Sequence, residues 1–344
     1  MVVVGQVMDI NDGKHHLNTI YSEPHPNNFC GGSFQDWLEV NLLPNCNGKC
    51  SWCVERDGYH PKEKAGWDVI ADKAIESGKT NIILLGGEPT LYADLDKIIT
   101  DLNLRGRNVW VTTNGGLLTP RYVSSVLVGL TGINISIHDF DLDRNEEIVG
   151  VKIRNLKEVV DALHIIGVSV RLNCNCIAGH VDSYDSIRKY IAFAKSAGVD
   201  KIRLAELKLE EENFVNLTKV FNHRFGLNDD PFTYGCIRDV VIDDMPVNVR
   251  QMCGLQTARR PLPINPKQFP KTVLYYDGKF YDGWQQRRRK FDVKPRELDD
   301  VLKKVAAGKM TPDEAKKIIN EEVVKDILEV EDEGGPLAGG GCRY

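Results

Sequence analysis

Apolar runs typical of β-strands alternate with segments of helical periodicity from Trp37 to about Leu207. The strand-like runs end at Leu43, Leu85, Thr113, His138, Ile177 and Leu207. Between them, apolar residues recur every three or four positions, as at Ile187, Ile191 and Ala194, which is typical of helices with one packed face. Six strand–helix units in series predict a parallel sheet with helices on its outer side.

Polar and apolar positions alternate within several of these strands. In the fifth run, Arg171, Asn173 and Asn175 alternate with apolar residues, and in the fourth the polar set is Asn134, Ser136 and His138. Because helices must cover the apolar faces, the polar sets are expected to line an open polar lumen. We predict substrate contacts from the polar sets of the first and fifth runs: Glu39, Asn41, Arg171 and Asn175.

Two cysteines of the fifth run fall on the opposite face. Cys174 and Cys176 have the same parity as Val170 and Leu172. We therefore expect them beneath the outer helices as small buried hydrophobes rather than as metal ligands.

Turn signals and composition divide the chain into five segments. They are an N-terminal hairpin or extension (1–36), the strand–helix region (37–226), a β-rich appendage (227–291), a helical segment (292–333) and a flexible glycine-rich tail (334–344). Within the appendage, residues 275–281 predict a hairpin, and Thr311 followed by Pro312 predicts a helix start.

Composition narrows the class of protein. The chain has 344 residues and a formal net charge of -5, which argues against a nucleic-acid groove as its main surface. No apolar run reaches membrane-spanning length, and the apolar start from Met1 to Val4 is too short for a signal peptide. Nine cysteines without an export signal are typical of a reducing compartment, so we expect a cytoplasmic location.

Three of these cysteines, Cys46, Cys50 and Cys53, follow the first strand with C-x3-C-x2-C spacing. Three thiolates on a short loop can each bind one iron of a cubane cluster and leave the fourth iron open. A zinc site would require a fourth cysteine or histidine close by, and none follows nearby. A disulfide would leave one of the three unpaired. We predict that the three are ligands of an iron–sulfur cluster.

The cysteine loop and a second motif resemble the radical S-adenosylmethionine (radical SAM) enzymes. The aromatic Trp52 precedes the third cysteine, and Gly86-Gly-Glu-Pro-Thr90 follows the second strand-like run. The resemblance implies an α/β fold, a partial TIM-like (β/α)6 barrel, with a small β-rich C-terminal appendage and terminal helices. It also implies a [4Fe-4S] cluster and S-adenosylmethionine (SAM) as cofactors.

The same resemblance assigns a set of residues to SAM: Trp52, Gly86, Gly87, Glu88, Asn114, Ser136, Asn173 and Ile177. The glycine pair lets the backbone approach a ligand, and Glu88 offers a carboxylate to the methionine ammonium group. Ser136 and Asn173 are expected at the ribose or carboxylate, and Ile177 along the adenine.

Two further residues are candidates for the chemistry itself. His138 is expected at the carboxyl end of the fourth strand, as an acid or base or as a polar contact to substrate; we favour the contact. Cys342 would be a hydrogen-atom donor or cluster ligand if the glycine-rich tail folds into the barrel mouth. Plain disorder of the tail and a substrate-like tail are the alternatives.

Within the superfamily, the chain is most similar to the branch of the GTP cyclase of molybdenum-cofactor synthesis and of twitch-type peptide-modifying enzymes. The similarity is carried by Asn134-Ile-Ser-Ile-His138, Arg171-Leu-Asn173 and the run from Lys201 to Glu206. Cys236 and Cys253 are isolated in the sequence, and only Cys342 or Cys30 could serve as a third ligand beside them. These cysteines are therefore either free thiols or ligands of a second iron–sulfur cluster.

The resemblance implies reductive cleavage of SAM to a 5′-deoxyadenosyl radical that abstracts a hydrogen atom from substrate. We favour a peptide or protein side chain as substrate, with radical modification of a nucleotide or other small polar metabolite as the alternative. A non-catalytic iron–sulfur or SAM-binding protein is the alternative of another class. A low-potential electron donor such as flavodoxin or ferredoxin is the expected partner.

Overall fold

The computed structural model describes residues 36–53, 55, 60–207, 213–227, 237–251, 272–282 and 285–286, together with 304, 309–311, 314 and 337–338. The strands are β1 (Trp37–Asn41), β2 (Asn81–Leu85), β3 (Asn108–Thr113), β4 (Gly132–Ser136), β5 (Ser169–Cys176), β6 (Lys201–Glu206), β7 (Ile237–Ile242), β8 (Met245–Arg250), β9 (Thr272–Tyr275), β10 (Phe280–Asp282), β11 (Gln285–Gln286) and β12 (Leu337–Ala338). The helices are α1 (Trp67–Glu76), α2 (Leu95–Leu104), α3 (Pro120–Val126), α4 (Leu142–Val149), α5 (Leu156–Ile165), α6 (Tyr184–Ser196) and α7 (Leu217–Val220), with 3-10 turns at Pro89–Leu91 and Arg224–Gly226.

The six strands β1 to β6 form a parallel sheet in chain order, each hydrogen-bonded to the next. Helices α1 to α6 connect them, so the predicted α/β fold with a partial TIM-like barrel is confirmed. Periodicity predicted each strand end to within two residues, because the strands are buried and sharply bounded by turns.

The segment predicted as a β-rich appendage contributes strands to both edges of this sheet. The β7–β8 hairpin pairs through β8 with β6, and the β9–β10 hairpin, predicted at 275–281, pairs through β9 with β1. The order is β10-β9-β1-β2-β3-β4-β5-β6-β8-β7, an open sheet of ten strands in the part of the chain described. Six strands alone would leave unpaired backbone groups at both edges, and the hairpins satisfy them.

The outer face of the sheet follows the predicted alternation. Val170, Leu172, Cys174 and Cys176 are buried in the main hydrophobic core, which they share with helix residues such as Ile187. The two cysteines are therefore small buried hydrophobes, as predicted.

The inner face is only half polar, which corrects the expectation of a polar lumen. Under β1, β2, β3 and β9 lies a second apolar cluster, made of Ile83, Leu85, Val273, Tyr275 and Tyr276 with Trp37, Trp110 and Tyr281 packed against it. The cause is the sequence of β2, which is apolar on both faces after Asn81. Polar side chains occupy the inner face mainly on β4, β5 and β6.

Helix α4 was not predicted, because only Asn145 and Val149 on it are buried and most of its residues are polar or charged. It begins after Asp141, whose carboxylate accepts the backbone N–H of Asp143 at 3.0 Å, and it ends at Gly150, which has a left-handed φ of 79°. Such a cap is a local signal for a helix start.

Some predictions concern residues beyond this description: the hairpin within 1–35, most of the 292–333 segment, and Cys30, Cys236, Cys253 and Cys342 all lie outside the described residues. The helix start at Thr311 is present as a reciprocal capping pair with Glu314. Leu337–Ala338 pairs antiparallel with Gln285–Gln286, so this part of the predicted flexible tail is extended and hydrogen-bonded. In the described part of the chain no helix has the length and apolar character needed to cross a membrane.

Candidate active site

The loop that carries the three cysteines lies over the carboxyl ends of the parallel strands and forms one wall of a pocket. The pocket encloses about 800 Å³ including its open mouth. Carboxyl ends of parallel strands are the usual place for ligand sites in such folds. The lining residues are Cys46, Gly48, Cys50, Trp52, Cys53, Glu55, Leu85, Gly86, Gly87, Glu88, Thr112, Thr113, Asn114, Ser136, His138, Val149 and Asn175.

The root of the cysteine loop is hydrogen-bonded to the glycine pair. The Gly87 N–H donates to the Leu43 carbonyl at 2.7 Å, and the Glu88 N–H donates to the Asn45 carbonyl at 2.8 Å. A Cβ on Gly87 would lie 2.1 Å from the Asn45 carbonyl oxygen. Gly86 has a φ of 137°, which disfavours any other residue. The glycines thus let this loop approach β2 closely.

The tip of the loop is held by two other elements. The Lys49 N–H donates to the Val149 carbonyl at the end of α4, at 2.7 Å. The Asn114 side-chain amide donates to the Asn47 side-chain oxygen, also at 2.7 Å. The cysteines are therefore fixed from β2, β3 and α4 together.

The donor set fits a cluster held by three thiolates. The Gly48 N–H donates to the Cys46 sulfur at 3.2 Å, the kind of contact that tunes cluster thiolates. Desolvation raises the pKa of Cys46, while the Gly48 amide opposes the rise. Within the described residues, no three metal-binding side chains converge on a single ion. A cubane requires no such convergence, because each thiolate binds a different iron.

Glu88 is 1 % exposed and its carboxylate accepts four hydrogen bonds. Its Oε1 accepts the N–H and hydroxyl of Thr90, at 3.1 and 2.6 Å, and the hydroxyl of Thr113 at 2.6 Å. Its Oε2 accepts the N–H of Asn114 at 2.8 Å. A carboxylate offers about four acceptor sites. Glu88 therefore joins the turn after β2 to the end of β3, whereas its assignment to the methionine ammonium group stays a prediction.

The substitution Glu88→Gln is expected to lower the free energy of unfolding by about 1.5–3 kcal/mol. In either orientation the new amide NH2 would face a backbone N–H, that of Thr90 or that of Asn114. Urea denaturation measures the loss, with the exposed Glu76→Gln as the control. Equal stability of Glu88→Gln and wild type would mean that the network around Glu88 carries no net energy.

His138 follows β4 and is held from both sides. Its N–H donates to the Asn145 side-chain oxygen at 2.7 Å, and its Nδ1 accepts the N–H of Asn175 at 3.0 Å. Its ring lies edge-on to Trp52, with the ring centroids 5.2 Å apart. Burial, together with the charge of His180, lowers the pKa of His138 to about 3. The ring is uncharged at neutral pH, which favours a polar contact over acid–base chemistry.

Among the predicted residues that the structure describes, five do not line the pocket: Asn173, Ile177, Glu39, Asn41 and Arg171. The Arg171 Nε–H donates a hydrogen bond to the side-chain oxygen of Asn173 at 3.1 Å, and the Asn41 side-chain amide donates one to the Glu55 carboxylate at 2.9 Å. Asn175 on β5 was predicted to contact substrate, but it lies beside the residues predicted to bind SAM. Asn173 was predicted to bind SAM, but it lies deeper. The reason is position, because Asn175 is nearer the carboxyl end of the strand.

Sequence reasoning missed other lining residues. Thr112 and Thr113 precede Asn114 at the end of β3, and this run of polar residues at a strand end was a usable signal. Glu55 and Val149 gave none. Glu55 accepts a hydrogen bond from the Asn41 side-chain amide, and Val149 holds the cysteine loop through its backbone carbonyl.

A basic cluster occupies the inner face from the level of the pocket downward, and it is formed by Arg171 on β5, Arg203 on β6 and Arg250 on β8. Burial, together with the charge of Arg250, lowers the pKa of Arg171 to about 10. Burial also lowers the pKa of Arg203 well below its usual value, with added repulsion from the other two arginines. Asp239 and, for Arg203, Glu39 oppose these shifts.

A family model described as the radical SAM superfamily matches residues 40–194. Two curated relatives are both named "Probable GTP 3',8-cyclase". The protein of Sulfurisphaera tokodaii is 34% identical over 214 residues, covering 59% of this chain and 61% of the relative. That of Sulfolobus acidocaldarius is 32% identical over 202 residues, covering 56% and 64%. The chain thus spans less than two thirds of the length of these relatives.

Among solved structures, Streptococcus suis SuiB bound to its precursor peptide SuiA aligns with a TM-score of 0.53 and 19% identity, covering 72% of this chain and 59% of SuiB. This likeness concerns the fold. The match of the family model agrees with the cysteine loop, the glycine motif and the pocket that they form. Residues 40–194 thus form a radical SAM domain, and the enzymes of that superfamily use a [4Fe-4S] cluster and SAM.

Proposed function

We propose that this protein is a radical SAM enzyme that modifies a nucleotide or another small anionic metabolite. The observation that carries the substrate class is the cluster of Arg171, Arg203 and Arg250 in the lumen, from the level of the pocket downward. The name shared by the two archaeal relatives supports the same class. The proposal includes a low-potential donor such as flavodoxin or ferredoxin as electron source.

The register of the strands arranges the basic cluster as a descending series. Arg250 is level with Asn175 at the pocket, because Asn175 pairs with Ala205 and Ala205 with Arg250. Arg203 is level with Asn173, two residues lower. Arg171 lies two residues lower again, about 13 Å below Asn175 at the usual rise of a strand. An extended anion entering from the pocket would meet these guanidinium groups in turn.

The energetic argument concerns like charges at close range. Three guanidinium groups share a largely buried space. The charge of Arg250 contributes to the lowered pKa of Arg171, and the charges of Arg171 and Arg250 contribute to that of Arg203. A bound phosphate or carboxylate would relieve this repulsion and accept charge-assisted hydrogen bonds. A peptide side chain, the substrate class favoured by the sequence analysis, would not require so many buried cations.

When bound, the reduced cluster and SAM supply the radical chemistry, and this chain supplies position and exclusion of water. Cys46, Cys50 and Cys53 would hold the cluster on the loop above the strands. Trp52 and His138 pack together at the pocket wall, where they limit access of water. The arginines would hold the anionic end of substrate below the reacting atoms.

Catalysis is tested with anaerobically reconstituted protein, dithionite and SAM. We expect 5′-deoxyadenosine above the level of a cluster-free control. If no 5′-deoxyadenosine forms, the proposed enzymatic activity is wrong, and a non-catalytic iron–sulfur or SAM-binding protein is the alternative.

The substrate class is tested with Arg203→Met, which replaces the aliphatic part of the side chain and removes the charged guanidinium group. We expect GTP, used as a nucleotide probe in calorimetry, to bind at least about tenfold more weakly, because charge-assisted hydrogen bonds contribute about 1.5–3 kcal/mol. Binding of S-adenosylhomocysteine should change less than about twofold. The control is Arg188→Met on α6, whose guanidinium pairs with Asp243. Unchanged GTP binding in Arg203→Met would contradict a nucleotide in this lumen.

A further inference from the structure

The hydrogen bond at Nδ1 determines where the proton of the His138 ring lies. A backbone N–H can only donate, so the Asn175 N–H at 3.0 Å requires an unprotonated Nδ1. A neutral imidazole with a bare Nδ1 carries its proton on Nε2. The ring can then donate one hydrogen bond and can accept none beyond the one it already has.

The surroundings hold this ring in one place. Its backbone N–H donates to Asn145 on α4, and its Nδ1 accepts the Asn175 N–H on β5. Its ring and that of Trp52 pack edge to face, with the centroids 5.2 Å apart. His138 is 4 % exposed, and it lines the pocket between Ser136 and the cysteine loop. Within the described part of the chain, the hydrogen bond to Asn175 is the one that this ring makes. The donor is therefore directed by the fold and left for a ligand.

We propose that His138 is a fixed, neutral hydrogen-bond donor that recognises an acceptor atom of a nucleoside in this pocket, a ribose oxygen or a purine ring nitrogen. The inference rests on the proposed function, which places two nucleosides near the ring, that of SAM and that of the substrate. Both offer the same acceptor chemistry, and the experiment distinguishes them. The role excludes proton transfer, because the one titratable position is already used.

Two substitutions separate recognition of a ligand from support of Asn175. His138→Asn places an amide near the position of Nδ1, so it can accept the Asn175 N–H but has no donor at the position of Nε2. His138→Gln places its NH2 near Nε2, so it can donate to the ligand but no longer accepts from Asn175. A ligand-reading residue and a purely structural residue therefore predict opposite orders for the two variants.

The binding experiment uses anaerobically reconstituted holoprotein with S-adenosylhomocysteine and GTP as separate calorimetric probes. We expect His138→Asn to weaken one probe about three- to tenfold, as for one lost hydrogen bond, and His138→Gln to stay within about twofold of wild type. A loss for S-adenosylhomocysteine places the acceptor on the cofactor, and a loss for GTP places it on the substrate. Equal binding by all three proteins, or a weaker His138→Gln than His138→Asn, overturns the assignment. A wild type that binds neither probe overturns the proposed function as well.

A second measurement does not depend on ligand or on variant stability. Wild-type protein labelled with 15N-histidine should give the two-bond correlation pattern of an imidazole protonated at Nε2, identified by its absence from His138→Gln. A proton on Nδ1 would overturn the proposal, whatever the binding data show.

Discussion

Replacing Cys46, Cys50 and Cys53 together by alanine is expected to lower the iron content by about four per chain. The three sulfurs line one wall of the pocket and would supply all the protein ligands of the cluster. Iron analysis and the visible absorption of the anaerobically reconstituted protein measure the loss. SAM cleavage should disappear with it.

The control for this variant is Cys176→Ala. Its sulfur is fully buried in the core, beneath the outer helices, and should have no part in binding iron. We expect full iron content with a modest loss of stability, since a small core side chain is shortened. Full iron in the triple variant would reject the central assignment of the cluster site.

Replacing Gly87 by alanine is expected to break the attachment of the cysteine loop. The new Cβ would meet backbone atoms of Asn45 and Pro44, at 2.1 to 2.8 Å, and neither can move as a flexible side chain would. If the turn after β2 moved away from the cysteine loop, the hydrogen bonds of Gly87 to Leu43 and of Glu88 to Asn45 would also be lost. We expect the free energy of unfolding to fall by roughly 2–4 kcal/mol and at least half of the bound iron to be lost.

The matched control is Gly106→Ala. Gly106 has a left-handed φ of 74°, but a Cβ there would meet nothing within 4 Å. It should lower stability by about 1 kcal/mol and leave iron content intact. Iron loss equal in the two variants would show that backbone strain, and not the close approach to the loop, governs the cluster site.

The sequence predicted the strands and the faces of β5 because burial imposes a period of two on each strand. It also placed the cysteine loop and the glycine motif each directly after a strand of the same sheet. The lumen was harder to predict. β2 is apolar on both faces, and only the partners across the lumen decide whether its inner face meets water or aromatic side chains.

The contacts that position the site were mostly beyond sequence reasoning. The carbonyl of Val149 holds the cysteine loop, and a backbone atom has no side-chain identity to read. The Glu88 carboxylate suggested a ligand contact, and the sequence did not show that its hydrogen bonds to Thr90 and Thr113 join the turn after β2 to the end of β3. The outer hairpins pair with strands far away in the chain, and local periodicity contains no information about such partners.

The pairing of β9 with β1 has a consequence for the order of events during synthesis. β1 emerges from the ribosome about 230 residues before β9, so one edge of the barrel waits without its neighbour while nearly the whole sheet is made. The segment between the cysteine loop and α1 also contacts the residue after β9. The Ala65 N–H donates to the Tyr276 carbonyl, and the Tyr276 hydroxyl donates to the Pro61 carbonyl. Truncation before β9 would leave an exposed strand edge beside three unprotected thiols.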